Sequence, residues 1–173
     1  MIIKNILLTF FIFFVVICST FLQGEINDYK YINSNPSFSN YGTLGLISNP
    51  SARFLPEGTI GFSWSKLQPY LRGSIITYPF SWMEASYQYT DVNNRLYSSS
   101  FSFSGNQTLK DKGFDIKIKL LDESMNLPAI AMGLRDMAGT GLFSAEYFVF
   151  SKRIKNLDIS LGAGWGALSK DSY

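Results

Sequence analysis

At 173 residues, 46% of them apolar, with 15 Lys and Arg against 13 Asp and Glu, the chain has the length of one domain or part of one and too little charge for a disordered tail. It has no histidine and a single cysteine, Cys18, which excludes a Ser-His-Asp triad, a Cys-His pair, a His-ligated zinc and any disulfide within one chain. A net charge of +2 with no basic run leaves no electrostatic footprint for nucleic acid.

Lys4 precedes the apolar run ILLTFFIFFVVI at 6–17, and small or polar residues follow, the pattern of a secretory signal peptide over 1–24. Extended to Leu22, the run only reaches the lower limit for spanning a bilayer, and no stop-transfer charges come after it. Cys18 is a candidate for lipidation, although Ile17 is bulky where lipoprotein signals want a small residue. Residues 25–57, rich in Asn and carrying three prolines by Pro56, read as an irregular lead-in.

Residues 58–173 break into segments of about eight to twelve residues separated by turn-forming residues, the spacing of an antiparallel all-β protein. Strands are predicted at 59–66, 70–78, 83–90, 97–103, 114–120, 127–135, 143–153 and 157–166, a meander of about eight. The clearest is 114–120, where Phe114, Ile116, Ile118 and Leu120 alternate with Asp115, Lys117 and Lys119, so that the apolar set takes one face and the charges the other. Asn93-Asn94, Gly105-Asn106 and Asn156 stand where tight turns want residues tolerant of positive φ.

A two-faced sheet of this kind fits a soluble sandwich with its apolar face inside, or an outer-membrane barrel with that face on lipid and a wet polar lumen. The polar face here is mainly Ser, Gly, Gln and Thr, and aromatics such as Trp64, Tyr78, Trp82 and Trp165 gather near segment ends, which favours the barrel. In a barrel, Glu84, Gln88, Lys117, Lys119, Glu146 and Asp158 point into the lumen, where charges tune passage or pair to fill the interior. The stretch from Asn49 to Gly58 reads as a plug or as a structural lead-in in which Arg53 and Glu57 pair locally. Arg135 and Asp136 read as a bent turn hydrogen-bonded to backbone, entering a glycine-rich loop that lacks the Gly-Lys-Ser/Thr of a phosphate-binding loop. Asp122-Glu123 is no glycosidase pair, since adjacent strand residues face opposite ways, and it fits a turn instead. With no visible nucleophile, metal cluster or activated base, the sequence offers no catalytic, metal or cofactor site.

Five long stretches carry a resemblance. GLISNPSARFLPEG (45–58), PFSWMEASYQYTD (79–91), KDKGFDIKIKLLDES (110–124), LPAIAMGLRDMAGTGLFSAEYFVFSKR (127–153) and LDISLGAGWG (157–166) together resemble, in family order, the N-terminal part of the YjbH family of bacterial exopolysaccharide-associated outer-membrane β-barrel proteins. The resemblance implies an exported, non-enzymatic barrel in the cell outer membrane, a structural or conduit component of exopolysaccharide production or export. Its partners would be outer-membrane lipid, the exopolysaccharide and other polysaccharide-export proteins. Family members are much longer, and the end ALSKDSY lacks an alternating strand closing on an aromatic residue, so the expectation is a piece of a larger barrel. The competing class is a secreted or periplasmic β-sandwich that binds carbohydrate or protein.

Overall fold

The computed structural model describes residues 37–169. The signal segment 1–24, Cys18 and the first part of the lead-in lie outside them. A small ladder comes first, β1 (Gly45–Leu46) with β2 (Asn49–Pro50). Seven strands then pair antiparallel in chain order: β3 (Ile60–Leu67), β4 (Tyr70–Phe80), β5 (Met83–Leu96), β6 (Thr108–Leu121), β7 (Ala129–Arg135), β8 (Ala145–Ile154) and β9 (Leu157–Gly166). The result is an all-β antiparallel meander curled into a half-barrel. Among the described residues, β3 and β9 are its two unpaired edges.

The predicted strand at 97–103 is not one. Leu96 already pairs with Thr108, so the β5–β6 hairpin is complete, and the Phe/Ser alternation beyond it has no neighbouring strand to join. The connection holds a one-turn helix, α1 (Phe101–Ser104), followed by Gly105 at φ 56. Asn93-Asn94 is likewise no turn: both residues lie in β5, where the ladder slips between Val92 and Leu96. The tight turn expected at Asn156 does join β8 to β9, with its preceding residue Lys155 at φ 55.

Period-two alternation gives every strand two unlike faces. On β5 the residues Glu84, Ser86, Gln88 and Thr90 are buried on the concave side, while Met83, Ala85, Tyr87 and Tyr89 face out. On β6, Asp111, Asp115 and Lys117 are buried, and Phe114 and Leu120 are half exposed on the other side. The outward positions of β3 and β9 are more open still, with Phe62 78% and Leu161 72% exposed. The strand register aligns these outward residues into rows, one of which runs Met83, Ile118, Met132, Phe148, Ala163 across five strands. A water-soluble sheet does the reverse, burying its large apolar side chains and solvating its charges.

Residues 38–55 fill the concave side. This strap runs from one rim of the sheet, near Tyr70 and Arg135, to the other, near Glu123 and Asp158, and carries Leu44, Ala52 and Phe54 into small apolar clusters with Ile76 and Tyr78 and with Ala131, Tyr147 and Val149. Two glycines, Gly133 of the wall and Gly42 of the strap, serve close approach. A Cβ on Gly133 would fall 2.3 Å from Cζ of Tyr147, whose ring lies across it, and one on Gly42 would fall 2.3 Å from Cβ of Ser74. Gly133→Ala is therefore expected to overpack this face and destabilise the fold by about 1–3 kcal/mol, read as a lower urea midpoint, whereas an unchanged midpoint would mean that the Tyr147 ring swings aside freely.

Candidate functional site: a polar concave face beneath a strap

The register of β4, β5 and β6 stacks the inward polar residues into cross-strand pairs. Arg72 stands opposite Thr90, Ser74 opposite Gln88, Glu84 opposite Lys117, Ser86 opposite Asp115 and Thr90 opposite Asp111. Glu84 and Lys117 form the tightest pair. Lys117 Nζ donates to Glu84 Oε2 at 3.0 Å, and both side chains are 1% exposed. The same carboxylate oxygen accepts from the Tyr78 hydroxyl and from the Leu44 amide of the strap at 3.4 Å, while Lys117 Nζ also donates to the Arg53 carbonyl at 3.1 Å. A buried ion pair holds only when further hydrogen bonds take up its remaining valences, and the strap supplies two of them.

At the other rim, the ring of strap residue Tyr41 lies between two guanidinium groups, 3.7 Å from Arg135 and 4.3 Å from Arg72. Its carbonyl accepts from Gln88 Nε2 at 2.6 Å and from Ser74 Oγ at 3.3 Å. Buried Arg72 also lies over the rings of Tyr70 and Phe143. Neither arginine has its hydrogen-bonding capacity met by protein: Nε and Nη2 of Arg72 and both Nη atoms of Arg135 are buried without a protein partner, as are Glu84 Oε1, Asp115 Oδ2, Asp136 Oδ1 and Ser86 Oγ. Between the strap and β8–β9, where Gly162 and Gly164 present no side chains, a cleft of about 280 Å³ lies against Asn49, Pro50, Tyr147 and Ser160.

Five of the six residues expected to face a lumen stand on the concave side: Glu84, Gln88, Lys117, Lys119 and Asp158. Glu146 does not. It shares the outer face with Phe148 and Phe150, because on β8 the inward set is Ala145, Tyr147, Val149 and Ser151, and it lies near the strand end between Leu134 and Trp165. Glu146 is exposed there, so its charge stays solvated and needs no buried partner.

The loop residues also find other partners than expected. Arg53 does not pair with Glu57. It binds Asp158 through Nε and Nη2 at 3.1 and 2.6 Å and Glu123 through Nη1, pinning the strap to the β6–β7 turn and to the start of β9, while Glu57 accepts from the Ser81 amide. Burial works against the Arg53 charge, and the two carboxylates outweigh it, holding its pKa above the ordinary guanidinium value. Asp136, at φ 50, ends β7 and is bound to backbone as expected: its amide donates to Asp115 Oδ1 at 2.8 Å, and its Oδ2 accepts from the Phe143 amide at 3.1 Å. Arg135 is instead held by the Tyr41 ring. The Asp122-Glu123 pair does lie in a turn, with Asp122 on Lys119 and Glu123 turned inward to Arg53.

Comparison with known proteins places this arrangement. The family model YjbH, described as exopolysaccharide biosynthesis protein YbjH, matches residues 37–173. The chain belongs to the YjbH family. A relative in Escherichia coli (strain K12), named uncharacterized lipoprotein YjbH, is 47% identical over 133 residues, which make up 77% of this chain and 19% of the relative. The chain thus spans about a fifth of the length of that YjbH protein. No solved structure matches it. The family match starts at Ser37, so it takes in the strap as well as the seven strands of the sheet.

Proposed function

We propose that this YjbH-family chain is a β-barrel segment of the cell outer membrane, a non-enzymatic structural or conduit component of an exopolysaccharide production or export system. The observation that carries the reading is the inversion of the sheet, with charges buried on the concave side and aromatics exposed on the convex side. Such a sheet is stable where its outer face meets hydrocarbon and its inner face meets protein and water. Among the described residues no helix is long and apolar enough to cross a membrane.

Length agrees with this role. At about 3.3 Å per residue, the 10 residues of β8 and β9 and the 11 of β4 match the 9–11 residues that a tilted transmembrane strand needs; β5 and β6, at 14 residues, run past that length, and β3 and β7, at 8 and 7, fall short of it. A barrel leaves no edge open in lipid, so the reading requires further strands on β3 and β9, whichever chain supplies them. Outer-membrane lipid, the exopolysaccharide and other polysaccharide-export proteins are the partners that belong to it. Export through a signal at residues 1–24 belongs to it as well; the alternative, cleavage before Cys18 with acylation of that cysteine, is the reading consistent with the lipoprotein name of the E. coli relative. A sandwich would need a second sheet over the convex face, and no strand of the described residues lies there.

The test is fractionation followed by electrophoresis with and without boiling. The protein is expected in the outer-membrane fraction, with a mobility that shifts on boiling as the folded barrel opens. Recovery in the periplasmic extract with no heat shift would overturn the reading in favour of a soluble sandwich.

A further inference from the structure

We propose that the wall beneath the strap is a binding track for an uncharged polysaccharide, and that residues 38–55 are its displaceable occupant; the proposal rests on the barrel reading above. The first support is how the strap is held. It adds no strand to the seven-stranded sheet; its only ladder is the internal β1–β2 pair, and it touches the wall at separate points: Tyr41 between Arg72 and Arg135, Leu44 on Glu84, Ala52 on Ser151, and Arg53 on Glu123 and Asp158. The strap's main-chain groups bond to side chains of the wall and not to its main chain, so the segment leaves without breaking a β-ladder.

The second support is what the strap leaves unused. Guanidinium donors of Arg72 and Arg135 and carboxylate acceptors of Glu84, Asp115 and Asp136 remain without protein partners although buried. A permanent filling would be expected to satisfy them, since a buried polar group without a partner is costly. Donors and acceptors interleave along one face, and a sugar hydroxyl, which donates and accepts at once, can pair with either.

The third is charge. Among the described residues, the buried charged side chains of this face are three cations, Arg72, Lys117 and Arg135, and five carboxylates, Glu84, Asp111, Asp115, Asp136 and Glu123. A face on which carboxylates outnumber cations has no net positive field with which to draw in a polyanion, so it favours a neutral chain. The Tyr41 ring contacts both guanidiniums, where a sugar ring leaving or entering the track would exchange places with it.

Locking the strap tests this in the whole protein. The Ala52 amide lies 2.8 Å from Ser151 Oγ, which makes Ala52→Cys with Ser151→Cys the variant for joining strap to wall by a disulfide, with each single variant as the control for pairing with any other thiol. In exopolysaccharide-producing cells, the cross-linked protein is expected to keep its heat-shifted mobility and to lose most of the polysaccharide at the cell surface, with recovery in dithiothreitol. Undiminished polysaccharide from fully cross-linked, heat-shifting protein overturns the displaceable strap and leaves the barrel reading standing. Protein without a heat shift, wild type included, overturns the barrel reading and this proposal with it.

A second variant needs no cross-link. In planar bilayers Tyr41→Ala, which removes the ring held between the arginines, is expected to raise conductance several-fold, and dextran oligosaccharides are expected to interrupt the current while sulfated dextran of equal length does not. Wild-type conductance in Tyr41→Ala overturns the strap as occupant. Equal interruption by the sulfated chain overturns the assignment to uncharged polymers.

Discussion

On the barrel reading, Phe148→Arg is expected to destabilise the protein in lipid by about 2–4 kcal/mol, the cost of a cationic side chain on a lipid-facing position near mid-depth. Phe148 lies in the middle of β8, between Met132 and Ala163 of the outward row, with its side chain 40% exposed. In water the same substitution would replace a half-exposed aromatic ring by a solvated charge and change stability by well under this amount, so its size reports what surrounds the sheet. Urea unfolding in lipid vesicles reads the difference, with Phe148→Leu as the volume control. A loss for Phe148→Arg no larger than that for Phe148→Leu would mean that the convex face is not in hydrocarbon.

The second large effect lies on the opposite face. Lys117→Ala is expected to cost about 3–5 kcal/mol, because it leaves Glu84 charged and buried with its main counter-ion gone. The loss should fall mostly on the strap, since Lys117 also holds the Arg53 carbonyl and Glu84 holds the Leu44 amide. Replacing both members, Glu84→Gln with Lys117→Met, is expected to recover much of that loss, because an uncharged pair of similar volume avoids the desolvation that the ions suffer. A double-mutant cycle on unfolding free energies measures the coupling. A cost below about 1 kcal/mol for Lys117→Ala would mean that water screens the pair as it screens surface ions, and that the concave face is far wetter than its packing implies.

Alternation alone made most of the sheet legible. Phe114 to Leu120, Met83 to Thr90 and Leu157 to Trp165 are strands in the structure, because a period of two in side-chain polarity needs no knowledge of neighbours. Where the pattern misled, a neighbour decided. Residues 97–103 alternate as well as a strand does, but β5 and β6 had already closed on each other at Leu96 and Thr108. Glu146 was unreadable for a different reason. Both faces of β8 carry large apolar residues, Tyr147 and Val149 on one side and Phe148 and Phe150 on the other, so polarity gives no parity.

The strap was the least legible part. Its irregular character followed from its Asn and Pro content, but Arg53 finds Glu123 and Asp158 some 70 and 105 residues away, and Tyr41 meets arginines from two different strands. Short-range pairing of Arg53 with Glu57 was the economical expectation from spacing. Curling of the sheet brings the distant carboxylates nearer, and no periodicity in the chain records that curvature.

The inverted sheet also constrains how the molecule comes into being. Most globular chains find a driving force in water, collapsing around side chains that water rejects. Here such collapse would turn the sheet the wrong way out, gathering Phe62, Trp64 and Leu161 together and expelling the charges that the finished structure encloses. The open main-chain rows of β3 and β9 would at the same time offer templates to any other extended strand nearby. On the barrel reading, the chain must therefore be escorted unfolded through the aqueous compartment and acquire its shape only at the bilayer, where the solvent itself selects which face turns outward.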